Sequence, residues 1–454
     1  MATEEKHSLT AREAAVKMLL AVCKEKQFSH TVKGKYLDKI EEKRERALAT
    51  RLFEGSLERL IELDYIIDRF SKTPVKKMKP AIAAILRMTV YQLRFMDKIP
   101  AGAACNEAVK LTKKYGFAGL SGFVNGVARN IARAEDIPYP DAGKDAVAYL
   151  SVRYSIPTTI VEQLIAQYGR EAAETIASSF LQTEDFVSAR CMTHSTNIEQ
   201  LKKRLADADI TVEDAPYTKD ALRMFGVDAP ERLPGFAEGF FYIQDESSMQ
   251  AVLAAGLTGD EKVLDLCAAP GGKSVMAADI LALLGTGTVE ARDLTDAKVA
   301  LLKENKTRCH AGNMTVLKSD ATVFRKEDEG RFDVVLADVP CSGLGIIGKK
   351  PDIKLFMTTE QERELCLLQK KILANAVRYV KPGGVLVFST CTLNKDENLG
   401  GYEFLKNECG MRPESLAPFL CESLHTETVK DGYLQLIPGI HKTDGFFVAR
   451  FRKE

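Results

Sequence analysis

The chain has 454 residues, 45% of them hydrophobic and 28% charged, which leaves room for about three domains and excludes a fibrous or disordered polymer. Its apolar runs, such as 81–86 and 385–388, fall short of the roughly 20 residues a bilayer requires, and Met1–Lys6 carries glutamates where a signal peptide is basic and then apolar, so a cytoplasmic protein away from membranes is expected. The formal net charge is zero, yet residues 1–135 hold 26 Lys and Arg against 16 Asp and Glu, so a basic segment precedes an acidic remainder.

From Ala11 to Arg133 the apolar pattern is helical. Phe53, Leu57, Leu60 and Ile61 form one stripe, and Ile82, Ile85, Leu86 and Leu93 form another after Pro80, which predicts an all-α domain. Its positive charge gathers at Lys72–Lys79, a Pro-broken run that either holds phosphates or is a solvated loop. Asp136–Gly143, with two prolines, reads as a linker. Helices over 158–167, 170–181 and 198–205 and extended runs at 187–192 and 210–212 then predict a small α+β module. Beyond about residue 240, extended runs at 262–266, 288–293, 314–318, 332–338, 385–390 and 445–450 alternate with helical stretches. That is the pattern of an α/β domain with a doubly wound, mostly parallel sheet.

The chemistry gathers at the ends of these strands. The run Cys267-Ala268-Ala269-Pro270-Gly271-Gly272-Lys273-Ser274 follows the first, and its small residues let backbone approach a nucleotide-bearing cofactor at the carboxyl edge of the sheet. A Walker A loop would need Gly where Cys267 stands, and G-x-G-x-x-G is absent. Asp293 ends the second strand, where an acid can take a ribose diol; Asp320 follows the third and suits an adenine amino group. The fourth and fifth strands each deliver a cysteine, Cys341 beside Asp338 and Cys391 after Thr390. The ten cysteines include no C-x-x-C and the six histidines no close pair, so reduced thiols and no metal site are expected. A thiol and an acid beside an adenosine cofactor suit C5 methylation of cytosine. Thiolate addition at C6, with a proton held at N3 by Asp338, makes C5 nucleophilic, and a second thiol serves release. A free thiol is only about 3% ionised at pH 7, so Lys273 is a candidate to activate it.

Six motifs in order carry a family resemblance: Gln244–Ser248 (Q-D-E-S-S), Asp265–Ser274, Asp338–Gly343 (D-V-P-C-S-G), Pro351–Lys354 (P-D-I-K), Ser389–Thr392 (S-T-C-T) and Asp444–Phe451. With them, residues 240–454 resemble the NOL1/NOP2/Sun (Fmu) family of RNA cytosine-5 methyltransferases, which have a Rossmann-like fold. Ala103–Lys110 and Phe123–Arg129 resemble the RNA-binding NusB fold. The resemblance implies a NusB-like domain at 8–135, a connecting module at 144–239 and a methyltransferase domain at 240–454, acting as a monomer on structured RNA, small-subunit rRNA foremost. It implies S-adenosylmethionine held by Cys267, Ala268, Ala269, Pro270, Gly271, Gly272, Lys273, Asp293, Asp320 and Asp338. It makes Cys391 the nucleophile and Cys341 the helper in release, the reverse of the DNA cytosine methyltransferases. tRNA methylation by the same chemistry and a noncatalytic RNA-binding assembly factor stay open. The chain departs from the family where R-V-N becomes Arg190-Cys191-Met192, where H-P-D-I-K-W becomes Lys350–Leu355, and in having no Trp.

Overall fold

The computed structural model describes residues 9–182, 186–227 and 229–454, whose packing divides them into two units. One takes the described residues up to Gln182 together with Ile347–Phe356; the other takes those from Phe186 to Ile346 and Met357–Glu454. No helix among the described residues is long and apolar enough to cross a membrane.

The first unit contains the expected all-α domain, with helices Ala11–Cys23, Ser29–Leu37, Lys43–Glu58, Leu60–Phe70, Pro80–Phe95, Ala101–Lys114 and Ser121–Arg133. Thr10 and Glu13 close a capping box at the first, and Pro80 occupies the first turn of its helix, where a missing N–H is harmless. The stripe at 53–61 is not one helix: Arg59 (φ −104°, ψ 19°) breaks it, so Leu60 starts the next helix and Ile61 is only partly buried. Phe53, Leu57, Ile67, Ile82, Ile85 and Leu86 meet in one core. The expected linker is packed. Ile137 is buried, the Tyr65 hydroxyl donates to the Pro138 carbonyl at 2.9 Å, and the Tyr139 hydroxyl donates to Glu62. The expected middle module divides at Gln182. Helices Ala146–Arg153, Thr158–Tyr168 and Arg170–Ser179 belong to the first unit, tied there by buried Leu150 and Ile156 and by the Ile61 N–H, which donates to Ser155 Oγ at 2.9 Å.

The segment Ile347–Phe356, which contains P-D-I-K, packs on the helical domain through two helix ends. Asp352 accepts from Ser29 Oγ at 2.8 Å and from Ser29 N at 3.2 Å at the start of one helix, and Lys354 Nζ donates to the Glu58 carbonyl at the end of another. A carboxylate at an N-terminus complements the helix dipole, and an amine N–H at a C-terminus satisfies an orphan carbonyl.

The second unit holds two sheets. Strands β1 (Phe186–Cys191), β2 (Thr211–Asp214), β3 (Ala221–Phe225) and β4 (Phe241–Ile243) pair antiparallel in the order β2-β3-β1-β4. The larger sheet contains β5 (Lys262–Asp265), β6 (Thr288–Asp293), β7 (Met314–Lys318), β8 (Phe332–Asp338), β9 (Val380–Thr390), β10 (Arg412–Pro413), β11 (Tyr433–Leu436) and β12 (Phe446–Arg452). Its order is β10-β12-β9-β8-β5-β6-β7, with β11 pairing β12; β5 to β9 are parallel and β12 is antiparallel to β9. All five extended runs expected from 262 to 390 are strands; β9 starts earlier because Val380 pairs Phe332 before a register shift. The chain winds one way from β5 through β6 to β7, and β8 returns to the other side of β5. The carboxyl ends of β5 and β8 therefore flank a topological switch point, where such sheets bind ligands.

Burial pushes the Lys354 amine down to about 7 in the folded chain, against about 10.4 when unfolded. Between these values the unfolded chain binds more protons, so stability rises with pH; below about 7 both states are charged and the slope vanishes. In urea titrations at about pH 7 and about pH 9.5, Lys354→Met should remove part of that rise, and an unaltered rise would contradict the assignment.

Candidate active site

Four strand ends of the larger sheet converge on one crevice. The loop after β5 is held against β6 by two donors: Ala268 N–H reaches the Arg292 carbonyl at 2.9 Å, and Ala269 N–H reaches Asp293 Oδ2 at 3.0 Å. The other Asp293 oxygen accepts from Leu294 N–H at 2.7 Å and pairs with Lys298 at 3.0 Å. The Pro270 carbonyl takes Asn305 Nδ2 at 3.0 Å and the Tyr242 hydroxyl at 3.3 Å. Gly271 sits at φ 114°, a left-handed conformation that starts helix Gly272–Leu284 and that other residues rarely adopt. The helix therefore begins under the loop with its free N–H groups at the crevice.

Lys273 enters from that helix and donates to Asp338 Oδ2 at 2.8 Å, while Ser389 Oγ donates to Asp338 Oδ1 at 2.7 Å. The ammonium also lies 5.3 Å from the centre of the Phe446 ring, which the closing D-G-F-F run supplies. Burial alone would lower Lys273, but the Asp338 carboxylate, with Asp265 and Cys391 nearby, raises it instead. Cys341 and Cys391, partly buried on the turns after β8 and β9, stand 3.3 Å apart, sulfur to sulfur. The hydrogen bond to Cys391, and then burial, push the Cys341 thiol well up, and either sulfur can be the donor between them. Close approach of Gly345 to Gly445 permits this packing: a Cβ at Gly345 would lie 2.2 Å from the Gly445 carbonyl oxygen.

The structure brings together Lys273, Asp338, Cys341 and Cys391, and ties the loop Cys267–Gly272 to Asp293. Asp320 lies at the same edge but is exposed, and its Oδ1 accepts from Thr322 N–H and Oγ1, which makes it a turn residue by its contacts. Cys267 packs against the core with its thiol raised by burial. P-D-I-K belongs to the first unit. Asp265, which opens the motif Asp265–Ser274, was not among the residues expected to hold the cofactor. Its Oδ2 accepts from Ser274 Oγ at 2.6 Å, its Oδ1 is buried without a partner, and burial pushes its carboxyl up to about 7. An orphaned acceptor beneath a glycine-rich loop fits a ligand carrying an N–H or ammonium donor.

The altered Arg190-Cys191-Met192 also has a structural role. Arg190 Nη1 donates to Asp279 Oδ2 at 3.1 Å, and Asp279 takes the N–H groups of Thr193 and His194 at 3.0 Å each. This buried pair braces the helix that opens at Gly272. Met192 lies in the apolar core, where its sulfur accepts from Arg190 Nη2 at 3.3 Å.

Comparison with known proteins follows the same division. The model of the 16S rRNA methyltransferase RsmB/F family matches residues 252–452, and that of the NusB family matches 9–133. The chain is 37% identical over 417 residues to the probable ribosomal RNA small subunit methyltransferase B of Bacillus subtilis, covering 90% of this chain and 91% of that one. It is 29% identical to the ribosomal RNA small subunit methyltransferase B of Photorhabdus laumondii, covering 99% of this chain and all of the other. The crystal structure of PH0851 shares the fold over the full length of both chains, with a TM-score of 0.80 at 24% identity. That of a methyltransferase homolog protein from Pyrococcus horikoshii covers 68% of this chain and 99% of that one, with a TM-score of 0.59 at 25% identity.

Gly271→Ala would set a methyl group 3.2 Å from Leu302 at a positive φ. It should cost about 1–2 kcal/mol in thermal unfolding and loosen the loop; an unchanged melting temperature would show that the left-handed turn is not required.

Proposed function

Because this chain belongs to the 16S rRNA methyltransferase RsmB/F family, with a NusB-family domain ahead of the catalytic one, we infer that it methylates cytosine C5 in small-subunit rRNA. The observation that carries the reading is the pair of thiols 3.3 Å apart beside the Lys273–Asp338 ion pair at the switch point of the sheet. S-adenosylmethionine supplies the electrophilic methyl group. Its holders are the loop Cys267–Lys273, Asp293, Asp320 and Asp338, and the bare oxygen of Asp265 is an acceptor within the same loop.

The chain's own groups do the rest. The target base leaves its stack to present C5 and C6. Cys391, its proton released to solvent, adds as thiolate to C6 and the C5–C6 electron pair moves to C5, while the Lys273 ammonium gives a proton through the Asp338 carboxylate, which holds it at N3. Once C5 carries the methyl group, Cys341 as thiolate takes the C5 proton, the C5–H electron pair re-forms the C5–C6 double bond, and the Cys391 sulfur leaves C6 as thiolate; that is the release Cys341 serves. The sulfur-to-sulfur distance of 3.3 Å supports this division, since it sets Cys341 beside the sulfur that must leave.

The helical domain holds the RNA, and the protein acts as a cytoplasmic monomer. Supporting the RNA reading, a cleft of about 570 Å³ in the first unit is lined by Arg69, Lys72, Asn130 and Arg133, and none of its three cations is ion-paired among the described residues. Cations with no carboxylate partner are available to phosphates.

Wild type, Cys391→Ala and Cys341→Ala are to be incubated with labelled S-adenosylmethionine and either deproteinised small-subunit rRNA or total tRNA, and 5-methylcytosine read by mass spectrometry. Wild type should label rRNA, Cys391→Ala should yield no product, and Cys341→Ala should accumulate a covalent RNA adduct. Label confined to tRNA would replace the substrate, and no label on either would favour the assembly-factor reading. Replacing Arg69, Lys72 and Arg133 by Ala should lower the slope of log affinity against log salt by about two; an unchanged slope would return the cleft to solvated surface.

A further inference from the structure

Glu397 lies on helix Lys395–Glu403, six residues beyond Cys391, and only 1% of it is exposed. A carboxyl group so enclosed is costly unless it is partnered. Its Oε2 accepts from Ser342 N–H at 3.0 Å and from Gln369 Nε2 at 2.7 Å, and Gln369 Nε2 also donates to the Pro340 carbonyl at 2.9 Å. Both neighbours of Cys341 in the chain are thus held through one carboxyl and one amide. The tie continues to the other thiol: Ser342 Oγ and Thr392 Oγ1 lie 2.6 Å apart, Thr392 follows Cys391, and the Asn394 N–H donates to Thr392 Oγ1 at 3.2 Å. Glu397 Oε1 is buried without a partner. Burial pushes the carboxyl up, and the hydrogen bonds from Ser342 and Gln369 pull it back.

We propose that Glu397 is a positioning residue that clamps the Pro340-Cys341-Ser342 turn and thereby fixes the distance between Cys341 and Cys391. It touches neither thiol directly. Its effect on turnover rests on the reaction inferred above, whereas its effect on thiol spacing does not.

Two readouts separate these. Diamide oxidises two neighbouring thiols to a disulfide and is itself reduced to the hydrazine, so closure between Cys341 and Cys391, followed by peptide mass mapping, reads their spacing without turnover. Glu397→Ala should slow closure about tenfold, and Glu397→Gln, which keeps an acceptor oxygen, should recover most of the loss. On RNA, Glu397→Ala should lower kcat with KM for RNA held and leave adduct unreleased. In a Cys341→Ala background it should add nothing, because it acts through that thiol. If Glu397→Ala fails to fold, Gln369→Ala breaks the clamp from its other side and takes the same readouts. Closure at the wild-type rate, or additive losses in the double variant, would overturn the proposal. Slowed closure in a protein that methylates no RNA would uphold the clamp and remove the reaction instead.

Discussion

The parallel register that sets Asp338 of β8 opposite Ser389 of β9 is the constraint on which the site depends. Because the strands run the same way, the turns that follow them open at one edge, and cysteines 50 residues apart in the chain come within 3.3 Å. The Ser389 hydroxyl binds the Asp338 carboxylate across the same pair of strands, and Lys273 reaches it from beyond β5. A slip of one residue between β8 and β9 would send every side chain to the opposite face and part the thiols. The buried apolar runs Val334–Ala337 and Val385–Phe388 make such a slip expensive, so the hydrophobic core of the sheet also sets the chemistry at its edge.

Much of this was legible in the sequence because apolar strands and glycine-bounded turns announce themselves by type and spacing. The five strands from 262 to 390 are short apolar runs, and each ends in a residue whose chemistry suits a strand end. Proximity was not legible: nothing in the spacing says that Asp338 and Lys273 form one ion pair, or that Asp320 spends its Oδ1 on its own turn. Glu397 escaped, and Asp265 was read only as a strand-end acid, because a buried acid looks like any other in a string of letters. Only its enclosure and its unpartnered oxygen set it apart. The helical stripe at 53–61 misled for a local reason, since a break at Arg59 preserves nearly the same periodicity while turning the chain.

The two units divide the work by charge and by packing. The helical unit carries the surplus of Lys and Arg and a cleft whose cations form no ion pair among the described residues, while the sheet unit is acidic overall and gathers Lys273, Asp338 and the two thiols at one edge. P-D-I-K is instructive in this light. The Asp352 carboxylate accepts at the start of one helix of the first unit and the Lys354 amine donates at the end of another. In the changed R-V-N run, Arg190 keeps a bracing role toward the helix after the glycine loop, and Met192 fills core.

The central claim is that Cys391, and not Cys341, attacks the base. Small-subunit rRNA carrying 5-fluorocytidine offers a target whose C5 substituent cannot leave as a proton, so the adduct should persist after methyl transfer. Digestion and mass spectrometry of the trapped complex should find the methylated nucleotide on the peptide containing Cys391. A nucleotide attached at Cys341, or methylation with no adduct at either thiol, would contradict the account.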